Sequence, residues 1–198
     1  MGVQDIPEVC INVVKKNGRI LKFISNKTLE LCSYAVNQTG IALKFVPLKY
    51  QTDDICIAAI KQNYKAYKYI INPRHELNLK LISINGLILK FIEQDHQSEE
   101  LCLAAVMQHI WAFKYVHDKT EQICKYVFNK DCFMLRFVEH QTDEICEYAV
   151  KINGYAINYV KILSYNICLY AILQNIKALR YIPAGYYYIK MLEFIKTM

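Results

Sequence analysis

Seven of the eight cysteines fall in a series: Cys10, Cys32, Cys56, Cys102, Cys124, Cys146 and Cys168, separated by 22, 24, 46, 22, 22 and 22 residues. Thiols in such number can bridge, hold zinc or attack an electrophile, and spacing separates these chemistries. Zinc sites commonly draw ligands from Cys-x-x-Cys pairs, and this sequence has none. Equivalent residues on packed helices lie about 8–10 Å apart, beyond the roughly 7 Å Cα limit of a disulfide. The regular thiols therefore read as reduced, compact core residues. Cys132 stands outside the series. It is expected near a loop and exposed, which makes it the candidate nucleophile of a thiol-dependent enzyme or redox protein.

Other catalytic groups are sparse. His75, His96, His109, His117 and His140 are spread along the chain without metal-ligand spacing. There is no glycine-rich phosphate loop, nucleophile elbow or HExxH pattern. The residues thus point to no catalytic centre, metal or cofactor.

Cations recur with the period of the cysteines: Lys22, Lys44, Lys68, Lys90, Lys114, Arg136 and Arg180, with Asn158 at the one departure. Three residues earlier stand Trp111, Phe133 and Tyr155 in three of the periods. A cation row beside aromatics can grip an acidic peptide or a single nucleic-acid strand. The same row has a structural reading. A cation in the last turn of a helix complements its dipole, and Glu30, Asp54, Glu76, Glu100 and Glu144 are placed to pair with it. Tyr34, Tyr126, Tyr148 and Tyr170 form a second stripe, read as packing between repeats.

These periods imply a repeat. The gap of 46 hides a unit in which Asn78 replaces the cysteine, so eight units begin at Val9, Leu31, Ile55, Leu77, Leu101, Ile123, Ile145 and Ile167. Counted from these residues, the cation row is position 14. Position 15 is always Phe or Tyr, and position 16 always Ile or Val. Apolar residues at positions 1, 2, 5 and 6 predict a short amphipathic helix. Thr28, Thr52, Ser98, Thr120, Thr142 and Ser164 are its expected N-caps. Gly18, Gly40, Gly86 and Gly154, all at position 10, are expected as left-handed C-terminal caps.

A second short helix is predicted over positions 11–16, with the position-15 aromatics in the core. The competing reading is one helix and one strand per unit, as in a leucine-rich horseshoe. Units this small bury their apolar faces only by stacking. The fold class is therefore an all-α solenoid of eight helix–turn–helix repeats. It is read as a single repeat domain over 1–198 with a C-terminal cap over 183–198.

Hydrophobic residues make up 54% of the 198, which excludes a disordered chain, and the net charge of +6 is only mildly basic. No apolar run reaches the roughly 18 residues of a membrane span, and the start lacks the form of a signal peptide. An intracellular location without membrane contact is expected. The expected partner is a protein, a second copy included, with nucleic acid as the alternative.

Segments such as Ile55-Cys-Ile-Ala-Ala-Ile-Lys-Gln-Asn and Ala35-Val-Asn-Gln-Thr-Gly-Ile-Ala-Leu-Lys-Phe-Val-Pro resemble short helical repeats abundant in giant DNA viruses of the mimivirus and megavirus kind. Related repeats occur in some bacteria. The resemblance covers residues 9 to about 182. It implies the fold, and a place in the host cytoplasm or virion, but no activity and no catalytic residues.

Overall fold

The computed structural model describes residues 7–197. A ten-residue α-helix followed by a six-residue 3₁₀ helix is the unit of the fold. The α-helices are α1 (Pro7–Lys16), α2 (Leu29–Gln38), α3 (Asp53–Gln62), α4 (His75–Ile84), α5 (Glu99–Gln108), α6 (Glu121–Lys130), α7 (Asp143–Ile152) and α8 (Tyr165–Gln174). After the last 3₁₀ helix, Ile176–Tyr181, α9 (Tyr186–Thr197) ends the described chain. No described residue lies in a strand, so the horseshoe reading falls.

The chain forms two compact units that meet in sequence between Tyr115 and Val116. Nothing in the repeat pattern marks that division. In the first, α1 to α5 pack each on the next, with their 3₁₀ helices stacked as a second layer. In the second, α6, α7 and α8 do the same, and α9 packs on α8. Each unit is thus an all-α, solenoid-like stack. The expected C-terminal cap is α9, which buries Met191.

Local chemistry explains the alternation. The hydroxyls of Thr28, Thr52, Ser98, Thr120, Thr142 and Ser164 accept from the backbone N–H three residues on, satisfying one orphan donor of each helix. The other end turns at position 9, where one extended residue serves both helices. Asn63, for example, donates its N–H to the Ala59 carbonyl at 2.8 Å, closing α3. Its Oδ1 accepts from the Lys65 N–H at 3.0 Å, opening the 3₁₀ helix. Asn17, Asn85, Asp131, Asn153 and Asn175 cap the 3₁₀ helices in the same way. His109 does so through Nδ1.

The second helix is 3₁₀ over positions 10–15, not α over 11–16. A 3₁₀ helix repeats every three residues, so its side chains eclipse at i and i+3. Gly40, Leu43 and Val46 form one buried edge, and Ile41 and Lys44 align on another that faces outward. The core comprises positions 1, 2, 5 and 6 of the α-helices and positions 12, 13 and 16, with Phe113 and Phe128 its largest fully buried side chains.

The glycines do other work than expected. None has a positive φ. A Cβ built on Gly18, Gly40, Gly86 or Gly154 would fall under 3.0 Å from the carbonyl oxygen of Ala35, Ala59, Ala105 or Ala171 in the next repeat. Glycine is required for close approach of one backbone to another. Each glycine N–H then donates to a glutamine Oε1 of the next repeat: Gln38 at 2.8 Å, Gln62 at 2.6 Å, Gln108 at 2.5 Å and Gln174 at 2.6 Å. Gln108 and Gln174 also donate from Nε2 to the Ile84 and Ile152 carbonyls. Where position 10 is Tyr64 or Cys132, the matching residue is Ile84 or Ile152. Glycine and glutamine thus occur together or not at all at these interfaces.

Candidate functional site

The eclipsed 3₁₀ geometry aligns position 14 with position 11 and leaves position 14 in solvent. Lys22, Lys44, Lys68, Lys90 and Lys114 of the first unit are all exposed. So are Arg136 and Arg180 of the second. Position 15 is not core. Phe23 is 77% exposed, and Phe45, Tyr69, Phe91, Tyr115, Phe137, Tyr159 and Tyr181 are half-buried. The three-residue period puts position 15 on the edge of position 12, at the last residue of the 3₁₀ helix, where its ring is only half covered.

The half-exposed rings carry the cations. In the first unit three lysines reach over the ring of the next repeat. Lys44 Nζ lies 5.9 Å from the Tyr69 centroid, Lys68 Nζ 5.1 Å from Phe91 and Lys90 Nζ 5.6 Å from Tyr115. Lys22 lies 5.4 Å over its own neighbour Phe23. In the second unit the Arg136 guanidinium lies 4.9 Å from Phe137 and 5.9 Å from Tyr159. Arg180 lies 5.4 Å from Tyr155 and 4.7 Å from Tyr181. Phe133 meets Tyr159, and Tyr155 meets Tyr181, edge to face at 5.9 Å. Trp111 is 46% exposed. Such contacts fix the cation above a ring without neutralising it.

The expected pairing of the first unit's lysines with the acids of the next repeat is not seen among the described residues. Among the described residues no carboxylate forms an ion pair with Lys22, Lys44, Lys68, Lys90 or Lys114. Asp53 instead takes Arg74 at 3.0 Å and Lys80 at 3.3 Å, which holds its carboxyl below the usual range despite some desolvation. Glu100 takes His75 at 3.1 Å. The second tyrosine stripe is packing, as expected. Tyr34, Tyr148 and Tyr170 are half-buried, under Lys15, Lys125 and Lys151 of the preceding repeats.

The thiols divide differently from expectation. Cys132 is buried at 6% exposure. Position 10 faces the next repeat's backbone, as the glycines show, so a side chain there points into the interface. Burial pushes its thiol up, and Asp131 adds to the effect. Both effects disfavour the thiolate on which a nucleophile depends. Cys56, Cys124, Cys146 and Cys168 are buried and pushed up to about 11, chiefly by desolvation. Cys10 is only half-buried, beside the exposed Val9 and Val13. No group of described residues could hold a metal ion.

Two features escaped sequence reasoning. The glycine–glutamine pairing was visible in the aligned repeats, as joint presence and joint loss. The other is Asn78, buried at the cysteine position, whose Oδ1 accepts from the Tyr67 hydroxyl at 2.8 Å. Tyr67 stands at position 13, which is Leu or Ile in six of the eight repeats, and the coincidence of both departures in adjacent repeats was its signal.

No family model, curated protein or solved structure matches this chain. No helix among the described residues is long and apolar enough to cross a membrane.

Proposed function

We propose that the chain is a non-catalytic repeat scaffold whose first unit binds an acidic segment of a protein partner along Lys22, Lys44, Lys68, Lys90 and Lys114. The observation that carries this reading is a lysine row that is exposed and not neutralised by any described carboxylate, with Lys44, Lys68 and Lys90 held over rings of the next repeat. A row serving only stability would place the nearby acids against it. Arg136 and Arg180, with Phe133 and Tyr155, present similar chemistry in the second unit. A role inside an infected host cell or a virion is consistent with the giant-virus resemblance.

A protein partner fits better than nucleic acid. Single-strand binding depends on open ring faces on which bases stack. Here the preceding repeat's lysine already stands over Tyr69, Phe91 and Tyr115.

The test is fluorescence anisotropy at physiological salt with a labelled Asp/Glu-rich peptide, a neutral peptide and single-stranded DNA. The acidic peptide should bind at about 1–10 μM, and a Lys44→Gln/Lys68→Gln/Lys90→Gln/Lys114→Gln variant should lose about tenfold or more. DNA should bind no tighter than the roughly 10⁻⁴–10⁻⁶ M of non-specific association. Submicromolar DNA binding abolished in the folded variant would replace the protein reading with a nucleic-acid one.

A further inference from the structure

A cleft of about 690 Å³ opens in the first unit where the repeat breaks its own rules. Its volume is within the usual range of small-molecule pockets. Tyr67 and Asn78 line it, the hydrogen-bonded pair that stands where most repeats have Leu or Ile at position 13 and cysteine at position 2. Ile70, Pro73, Phe91 and Ile92 supply an apolar wall. The Phe91 ring lies nearly parallel to Tyr67, at 6.2 Å and 17°. Lys68, His75 and His96 bring basic groups, against the single carboxylate of Glu93. His96 belongs to the extra 3₁₀ turn Gln94–His96. Asn72, with a left-handed φ of 49°, shapes the loop beside it.

Two independent observations point to a ligand. The first is Asn78, 5% exposed. Its Oδ1 is taken by Tyr67, while its Nδ2 has no protein acceptor. Among the described residues no fully enclosed side-chain polar atom lacks a partner, so this donor opens on the cleft that Asn78 lines. The second is the start of α4. The six helices named above carry a Ser or Thr cap, but α4 has Arg74, which makes no cap bond and turns to Asp53. The positive end of a ten-residue helix is therefore left without a side-chain acceptor, at the residues Pro73, His75 and Asn78 that line the cleft.

We infer that this cleft binds a small organic anion. Its phosphate or carboxylate head would accept from Asn78 Nδ2 beside Lys68 and the uncapped end of α4, and its flat apolar body would lie against Ile92, Ile70 and Pro73. The site is separate from the proposed partner surface, sharing only Lys68 with it.

Isothermal titration of the full chain with phenyl phosphate, benzoate, inorganic phosphate and benzyl alcohol tests the assignment. Phenyl phosphate or benzoate should bind with Kd below about 1 mM, with the neutral alcohol and bare phosphate at least about tenfold weaker. Preference for phenyl phosphate or for benzoate decides the head group. Tyr67→Leu/Asn78→Cys restores the repeat's own residues and every ladder lysine. It should keep the circular-dichroism melt and lose about tenfold in affinity. Asn78→Asp keeps the acceptor for Tyr67 but turns the donor into a charge, and should abolish anion binding. Absence of aryl-anion binding at about 10 mM, or binding equal in these folded variants, would overturn the site. Bare phosphate binding as tightly as phenyl phosphate would overturn the apolar wall. Acidic-peptide binding by Tyr67→Leu/Asn78→Cys reports the partner surface separately.

Discussion

Two neighbouring interfaces of the first unit hold the same helices together by different means. Between α4 and α5 the backbones touch: Gly86 lies against the Ala105 carbonyl, and Gln108 grips both the Gly86 N–H and the Ile84 carbonyl. Between α3 and α4, Tyr64 and Ile84 occupy the corresponding positions, and the contact is made by side chains. Tyr64 and Tyr67 lie against Phe91 at 6.2 Å, and Tyr67 donates to Asn78. The first solution closes on backbone geometry and tolerates no added atom. The second relies on aromatic surface and one buried polar pair, and it borders an open cleft.

The widest gap between the two should appear on removing rings. Phe113→Ala, in the repeat that α5 begins, empties a fully buried site and is expected to cost about 4 kcal/mol. Phe91→Ala removes a half-buried ring from the other interface, for about 1–2 kcal/mol. Urea melts of both variants measure this, and equal losses would erase the distinction between positions 13 and 15.

Adding one carbon should come next. Gly86→Ala drives a methyl into a carbonyl that cannot withdraw without separating the repeats, and about 3 kcal/mol is expected. Tyr64→Ala should cost nearer 1 kcal/mol. A mild Gly86→Ala in thermal denaturation would show that the backbones are free to part.

The polar pair gives a smaller, conditional effect. Asn78→Cys alone strands the Tyr67 hydroxyl, costing about 2 kcal/mol. With Tyr67→Leu added, the loss should shrink below about 1 kcal/mol. A double-mutant cycle that came out additive would mean that the hydroxyl and amide do not depend on each other.

At neutral pH the smallest effect belongs to the thiols. An unfolded thiol ionises near pH 8.5, whereas Cys56, Cys124, Cys146 and Cys168 are pushed up to about 11 in the fold. Above pH 8.5 the unfolded chain sheds protons that the folded chain keeps. Stability from this source is therefore full below that pH and declines toward pH 11. Native thiol labelling should modify Cys10 first; Cys132 reacting as quickly would contradict its burial.

Periodicity made the stack, the Ser/Thr caps and the burial of the cysteine series from Cys32 to Cys168 legible in the sequence, because each follows from the pattern of one repeat. The errors arose where one repeat meets the next. Position 10 looked like a helix terminus, since glycine serves there as readily as at a close approach, and only the Ala105 carbonyl distinguishes the two. Phe91 looked like core because every repeat has an aromatic there, whereas position 15 closes the 3₁₀ helix and its ring is only half covered. Cys132 looked exposed because the orientation of position 10 was unknown. The cation row was read from its period, but the carboxylates that leave it unpaired are a fact of three dimensions.

The shared capping residue at position 9 has a consequence for how such a chain changes length. Because one extended residue finishes the α-helix and starts the 3₁₀ helix, no slack exists inside a repeat for an insertion. The linker after position 16 is free of that constraint. The two spacings of 24 residues place their extra pair there, folded into the turns Leu48–Tyr50 and Gln94–His96. Growth by insertion is confined to one margin of the repeat, leaving the stacking interval undisturbed. That margin is where new loops can accumulate, or be grafted, without retuning the rest.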